Sequence, residues 1–149
     1  MHRLALFAVL ALSSVAAFAT EDALRAEPKP PAYRVIVNPK NPIASAERKF
    51  VEEAFLKKTT SWSSGAVIRP VDLVPNAPAR RAFSDEVLHR SVAEVKTYWQ
   101  QAIFAGRDVP PPELGSDEDV IKFVLKYDGA IGYVSGTANL SGAKAIAIQ

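Results

Sequence analysis

Apolar residues recur along this chain with two periods, and the switching between them marks out the elements. Tyr33 to Val37 (YRVIV) is a compact β-rich run ended by Asn38-Pro39, which predicts a first strand. Phe50, Val51, Ala54 and Phe55 then follow at helical spacing and predict a helix reaching about Leu56. Ser45 is the expected N-cap of that helix, with Glu47 in the first turn, where the positive end of the dipole favours an acid. A polar turn comes next, with Trp62 set among Thr59, Thr60, Ser61, Ser63, Ser64 and Gly65. A lone indole in such surroundings is expected to fold back over an edge of the core. Val67 to Leu73 is the second extended run, and Pro70, which lacks a backbone donor, makes it short or places it at an edge.

Past the loop Val74 to Pro78, Asn76 is expected to cap a helix starting near Ala79, with Phe83, Val87 and Leu88 on its buried side. Ser91 and Glu94 form a Ser-x-x-Glu capping box ahead of Val92, Val95, Trp99, Ala102 and Ile103, a stripe that predicts one core-facing helix face. Gly106 stops that helix, and Pro110-Pro111-Pro112 makes a stiff crossing. Ser116 and Asp119 repeat the capping arrangement before Val120, Ile121, Val124 and Leu125, a fourth helix. Asp128-Gly129 is a turn, Ala130 to Ser135 a buried strand, and Ala145 to Ile148 a last short strand. Gly129 and Gly132 read as turn and close-packing positions. Strands alternating with helices predict an α/β fold, a mixed sheet flanked by helices.

The N-terminal stretch changes the picture of compartment. Arg3, the apolar run Leu4 to Leu12 and Ala17-Phe18-Ala19 predict a signal peptide over residues 1–19, cut after Ala19, and hence a periplasmic location. The apolar run is too short to span a bilayer, so the protein is not expected to be membrane-spanning. Residues 20–32, with Pro28, Pro30 and Pro31, read as an extended spacer, leaving 33–149 as a single domain. Loss of Arg3 with the signal lowers the formal net charge from +2 to +1. That balance argues against a nucleic-acid partner, which requires clustered cations.

The order of landmarks resembles the phosphate-type periplasmic solute-binding proteins of ABC importers, built on the type 2 periplasmic-binding fold. The residues that carry the resemblance are VIVNPKNP, FVEEAFLKKTTSW, Gly65 with IRPVD, YWQQAIFAG, Leu114-Gly115-Ser116 and DGAIGYVS. They run from Tyr33 to Ser135 and correspond to the middle of the full-length proteins, essentially one lobe plus a crossing strand. The resemblance implies a non-catalytic role in capturing a small anion, phosphate by default, with a membrane permease as partner. In that family an Arg follows the Ile-x-Pro-Val strand and a Ser-Gly-Thr turn precedes the next helix. Here those places hold Asp72 and, approximately, Asn76-Ala77-Pro78. An acid repels an anion, and a proline removes an amide donor.

The remaining candidate anion site is therefore the helix start after Asn76, with Arg80 and Arg81 in its first turn. Ser45 and Ser116, at other expected helix starts, are candidate helpers at the same crevice. Asp117, Glu118 and Asp119 sit where a helix dipole alone favours acids, so no metal is expected. Past the signal there is one histidine, His89, and the chain has no cysteine, Gly-x-Ser-x-Gly elbow or Walker-type loop. No cofactor and no catalysis are expected. Two function classes stay open: capture of a small anion, or a ligand-free interaction module binding a membrane sensor or an envelope protein.

Overall fold

The computed structural model describes residues 27–149, so the expected signal peptide and residues 20–26 of the expected spacer lie outside the described residues. β1 (Tyr33–Val37), β6 (Ala130–Ser135) and β7 (Lys144–Ile148) form the heart of a five-stranded sheet. Its remaining strands are β2 (Ser45–Ala46) and β3 (Arg69–Pro70), in the order β2-β7-β1-β6-β3. β1 pairs antiparallel with both β6 and β7, whereas β2 with β7 and β3 with β6 are parallel pairs. β1 alone thus runs against the other four. A separate parallel pair joins β4 (Asp72–Leu73) to β5 (Glu113–Leu114).

Four helices complete the fold: α1 (Arg48–Phe55), α2 (Pro78–Glu86), α3 (Val92–Phe104) and α4 (Asp117–Lys126). Consecutive residues of β6 show how they are layered, because neighbouring side chains on a strand point to opposite faces. Tyr133 turns to one face, where Phe83 of α2 stacks on it at a 4.0 Å centroid distance and Phe55 of α1 packs at 5.7 Å. Gly132 turns to the other, where α4 approaches so closely that an added Cβ would lie 2.8 Å from Val120 Cγ1. The absent side chain admits α4. With both faces covered, Val35, Ile36 and Val37 of β1 are all buried, and so are Ile131 and Val134 of β6.

The turn between α1 and β3 behaves as its polarity and its single indole predict. Trp62 is 5% exposed and donates from Nε1 to the Gly129 carbonyl at 3.0 Å, tying the turn to the start of β6. The capping box at α3 is present in both directions, and Gly106 ends that helix with φ +65°. At the C-terminal end of α4 the buried Asn38 donates from Nδ2 to the carbonyls of Val124 (3.0 Å) and Leu125 (3.2 Å). Among the described residues no helix is long and apolar enough to cross a membrane.

Four expectations need correction. Ser45 is not a helix cap: it lies in β2, and Glu47 is the N-cap of α1, without a side-chain bond. Asn76 does not cap α2, which starts after Ala77 with Pro78 in its first turn. Ile103 and Leu125 sit on exposed sides of their helices, one position off the buried stripes. The run from Val67 to Leu73 is not one strand of one sheet. Successive amides of an extended chain point to opposite sides, so Val71 N–H donates to Ile131 and Asp72 N–H to Pro112, dividing the run between two sheets. Pro70 falls before the second ladder begins, where its missing donor costs nothing.

Candidate functional site

The division at Val71 and Asp72 brings a carboxylate into the interior. Asp72 lies between Val71 and Leu73, all three buried, and it requires a positive partner. Arg80, one turn into α2, supplies it. Arg80 Nη1 lies 2.7 Å from Asp72 Oδ1 and donates to the Leu73 carbonyl at 3.0 Å. On the same carboxylate oxygen the Tyr133 hydroxyl donates at 2.6 Å, and it accepts from the Leu73 amide at 3.3 Å. Glu113 of β5 stands 3.8 Å from Arg80 Nη2 and reaches solvent.

The charges in this network pull in different directions. Burial raises the Asp72 carboxyl to about 6; Arg80 and the Tyr133 hydroxyl oppose that rise, and Glu113 adds to it. Burial is the largest influence on Arg80 and works against its charge, but Asp72, Tyr133 and Glu113 together outweigh it and hold the guanidinium more firmly protonated than usual. Burial, reinforced by Asp72, pushes the Tyr133 phenol upward. The phenol therefore stays a donor.

Outward from Arg80 a cleft of about 520 Å³ opens between α3 and the loops around Pro75 and Pro110. Val95, Trp99 and Ile103 form much of its wall, and Lys96 and Glu113 carry charge at its sides. Two cations and two carboxylates, counting Asp72 behind Arg80, share this region. Its electrostatics are balanced rather than strongly positive.

The five residues singled out from sequence fall into three groups. Asn76, Arg80 and Arg81 come together at the start of α2: Arg81 is exposed and donates from Nη1 to the Asn76 carbonyl at 3.0 Å, while Arg80 turns inward and is 2% exposed. Ser116 follows β5, which runs parallel to β4, so it lies at the same sheet end as Asn76. Its hydroxyl accepts from the Asp119 amide at 3.2 Å and donates to the Asp119 carboxylate at 2.8 Å, beside Asp117 and Glu118. Ser45 is not brought to the others. It lies on β2, at the opposite edge of the sheet from β3, about 19 Å away at the usual strand spacing.

Sequence reasoning took Asp72 only as an acid that repels an anion and did not reach Tyr133, Glu113 or Lys96 as members of the site. The signal for Asp72 was its place inside an apolar run. A carboxylate there is buried, and a buried carboxylate implies a cation such as Arg80 close by.

No protein-family model matches the sequence, and no curated protein is similar to it at a significant level. Solved structures are similar in fold. A phosphate ABC transporter substrate-binding protein from Clostridium perfringens, determined with bound phosphate, matches with TM-score 0.62 and 18% identity, over 78% of this chain and 44% of its own. An ABC-type phosphate transport receptor from Vibrio cholerae matches with TM-score 0.59 and 17% identity, over 78% and 46%. PstS from Borrelia burgdorferi matches with TM-score 0.60 and 13% identity, over 79% and 47%. The chain spans less than half the length of each. The described residues have the fold of one lobe of a phosphate-type periplasmic solute-binding protein.

Proposed function

We propose that this protein is a non-catalytic, exported solute-binding protein that captures a small anion, with phosphate as the first candidate, for an ABC importer in the periplasm. The observation that carries the reading is the likeness to a protein solved with bound phosphate. The start of α2 supports it locally: exposed Arg81 beside Asn76, the α2 N-terminal dipole, and Lys96 across the neighbouring cleft offer positive potential without a covalent catalyst. Ser116 is a helper from the adjoining loop; Ser45 lies too far across the sheet to share this site. The permease would be the membrane partner.

One observation favours a second reading, an interaction module that keeps the lobe without the ligand. The deepest cation, Arg80, already faces a carboxylate of its own chain at 2.7 Å, which occupies the position an anion would take against it. A sensor or envelope protein would then be the partner.

A thermal-shift titration with phosphate, sulfate and small carboxylates separates the two. Binding to the native state raises the melting temperature once ligand exceeds its dissociation constant. The first reading expects a saturable rise with phosphate that is abolished by Arg81→Ala and reduced by Lys96→Ala, both exposed positions whose loss spares the core. A flat response at millimolar anion rejects it in favour of the second.

A further inference from the structure

Arg80 uses only part of its hydrogen-bonding capacity on the network around Asp72. Nη1 makes both of the contacts described above, to the Asp72 carboxylate and the Leu73 carbonyl. Nε is buried and has no hydrogen-bond partner among the described residues. Nη2 stands 3.8 Å from the Glu113 carboxylate, beyond hydrogen-bonding reach. Nε–H and Nη2–H lie side by side on one edge of the planar guanidinium, the fork that takes both oxygens of a carboxylate. A buried edge left unpaired costs stability, which a bound acceptor would restore.

The surroundings of that edge narrow what the acceptor can be. Arg80 and Glu113 both line the cleft of about 520 Å³. That volume is within the range of roughly 300–1,000 Å³ usual for small-molecule sites. Lys96, Trp99 and Ile103 follow at three- and four-residue steps along α3, so one helix face supplies a wall that is apolar apart from a single ammonium. A simple oxyanion in the fork would lie beside Glu113 and be repelled. A neutral apolar molecule would leave the fork unpaired. A molecule with both charges close together on an apolar body satisfies every one of these groups.

We propose that the cleft binds an apolar α-amino acid in its zwitterionic form. The ligand carboxylate accepts from Arg80 Nε and Nη2, with Lys96 adding positive potential, and its ammonium donates to Glu113. Its side chain lies along Trp99 and Ile103. The α-carbon of the ligand bears both charges, which suits a cation and a carboxylate set 3.8 Å apart. The balance of two cations and two carboxylates around the cleft suits a ligand without net charge. This site is separate from the one at Asn76 and Arg81, and it stands whether or not phosphate binds there.

Calorimetric titration with phenylalanine, 3-phenylpropanoate and 2-phenylethylamine tests each contact in turn. Phenylalanine should bind with a dissociation constant below about 1 mM. Each analogue lacks one of the two charges and should bind at least about tenfold more weakly, because it leaves a charged partner unpaired. Glu113→Gln should weaken phenylalanine at least about tenfold and bring it level with 3-phenylpropanoate. Glu113 is exposed, so the circular dichroism and melting temperature of that variant should be those of the wild type. Ile103→Ser, also at an exposed position, should weaken phenylalanine and 3-phenylpropanoate alike. Inorganic phosphate titrated into Glu113→Gln reads the α2 site separately, since this substitution removes no cation. No binding of phenylalanine or leucine at about 10 mM overturns the proposal. Equal binding of phenylalanine and 3-phenylpropanoate by the wild type, or unchanged phenylalanine binding in Glu113→Gln, also overturns it.

Discussion

Replacing Arg80 with methionine keeps an unbranched side chain about as long as the aliphatic part of arginine but leaves the Asp72 carboxylate buried without its cation. In the wild type that carboxylate has the guanidinium at 2.7 Å and the Tyr133 hydroxyl at 2.6 Å. After the replacement only the neutral hydroxyl remains on it. Removing one partner of a buried pair typically costs about 3–5 kcal/mol, because the other is left uncompensated. The pH dependence identifies the cause. In the wild type Asp72 titrates near 6, above its ordinary value of 3.8, so its contribution to stability is greatest below pH 3.8 and is lost as pH rises through 6. Above pH 6 it is ionised in both folded and unfolded chains and adds no slope. Without Arg80 the folded-state value moves higher still. The folded variant then holds a proton that its unfolded chain has released, and its stability falls by up to about 1.4 kcal/mol per pH unit above pH 6. Urea unfolding of wild type and Arg80→Met at pH 6, 7 and 8 should show a deficit that widens with pH. Adding Asp72→Asn to Arg80→Met should remove the widening and recover much of the loss. A cost below about 1 kcal/mol, constant across that range, would refute the uncompensated-carboxylate argument.

Three further outcomes follow from other contacts. Trp62→Phe removes the buried donor to the Gly129 carbonyl and should cost about 1–3 kcal/mol in urea unfolding, with the largest gain in hydrogen exchange around residues 60–68. Gly132→Ala places a methyl 2.8 Å from Val120 Cγ1 and 2.9 Å from Val71 Cγ1, so about 1–3 kcal/mol of overpacking should lower the melting temperature. Asn38→Ala strips the last carbonyls of α4 of their buried donor; a loss of about 2 kcal/mol, with fraying of Val124 and Leu125 in hydrogen exchange, is the expected result.

The parts of this fold legible in the sequence are those where a side-chain period reports a buried face. α3 and α4 were readable because Val95, Trp99, Ala102 and then Val120, Ile121, Val124 keep a helical rhythm, and because Ser91 and Ser116 announce their starts. β6 was readable because both of its faces are covered and it is apolar throughout. β2 and β5 were not. Each is two residues long and is held by main-chain bonds such as Ala147 N–H to Ala44 and Val74 N–H to Leu114, which leave no trace in side-chain pattern. That is why Ser45 looked like a helix cap. At the candidate site, the grouping of Asn76, Arg80 and Arg81 was evident from their nearness in sequence. The inward turn of Arg80 was not, because it depends on Asp72 and Tyr133, which only the sheet brings within reach. Lys96 was missed for the opposite reason: an exposed residue carries no periodic signal.

The place of β1 between β6 and β7 has a consequence for the order of events during synthesis. The earliest described strand to leave the ribosome has both of its hydrogen-bonding edges reserved for the two latest. Until β6 and β7 have emerged, Val35, Ile36 and Val37 have no strand to pair with, and Tyr133, against which Phe55 and Phe83 pack, does not yet exist. The sheet is therefore assembled only once β6 and β7 have emerged, through contacts of high sequence separation that form slowly. A nascent chain stalled at Tyr127 should remain protease-sensitive from Tyr33 onward, and one whose β6 and β7 have cleared the ribosome should become resistant. Such a chain stays threadable until β6 and β7 are available to β1.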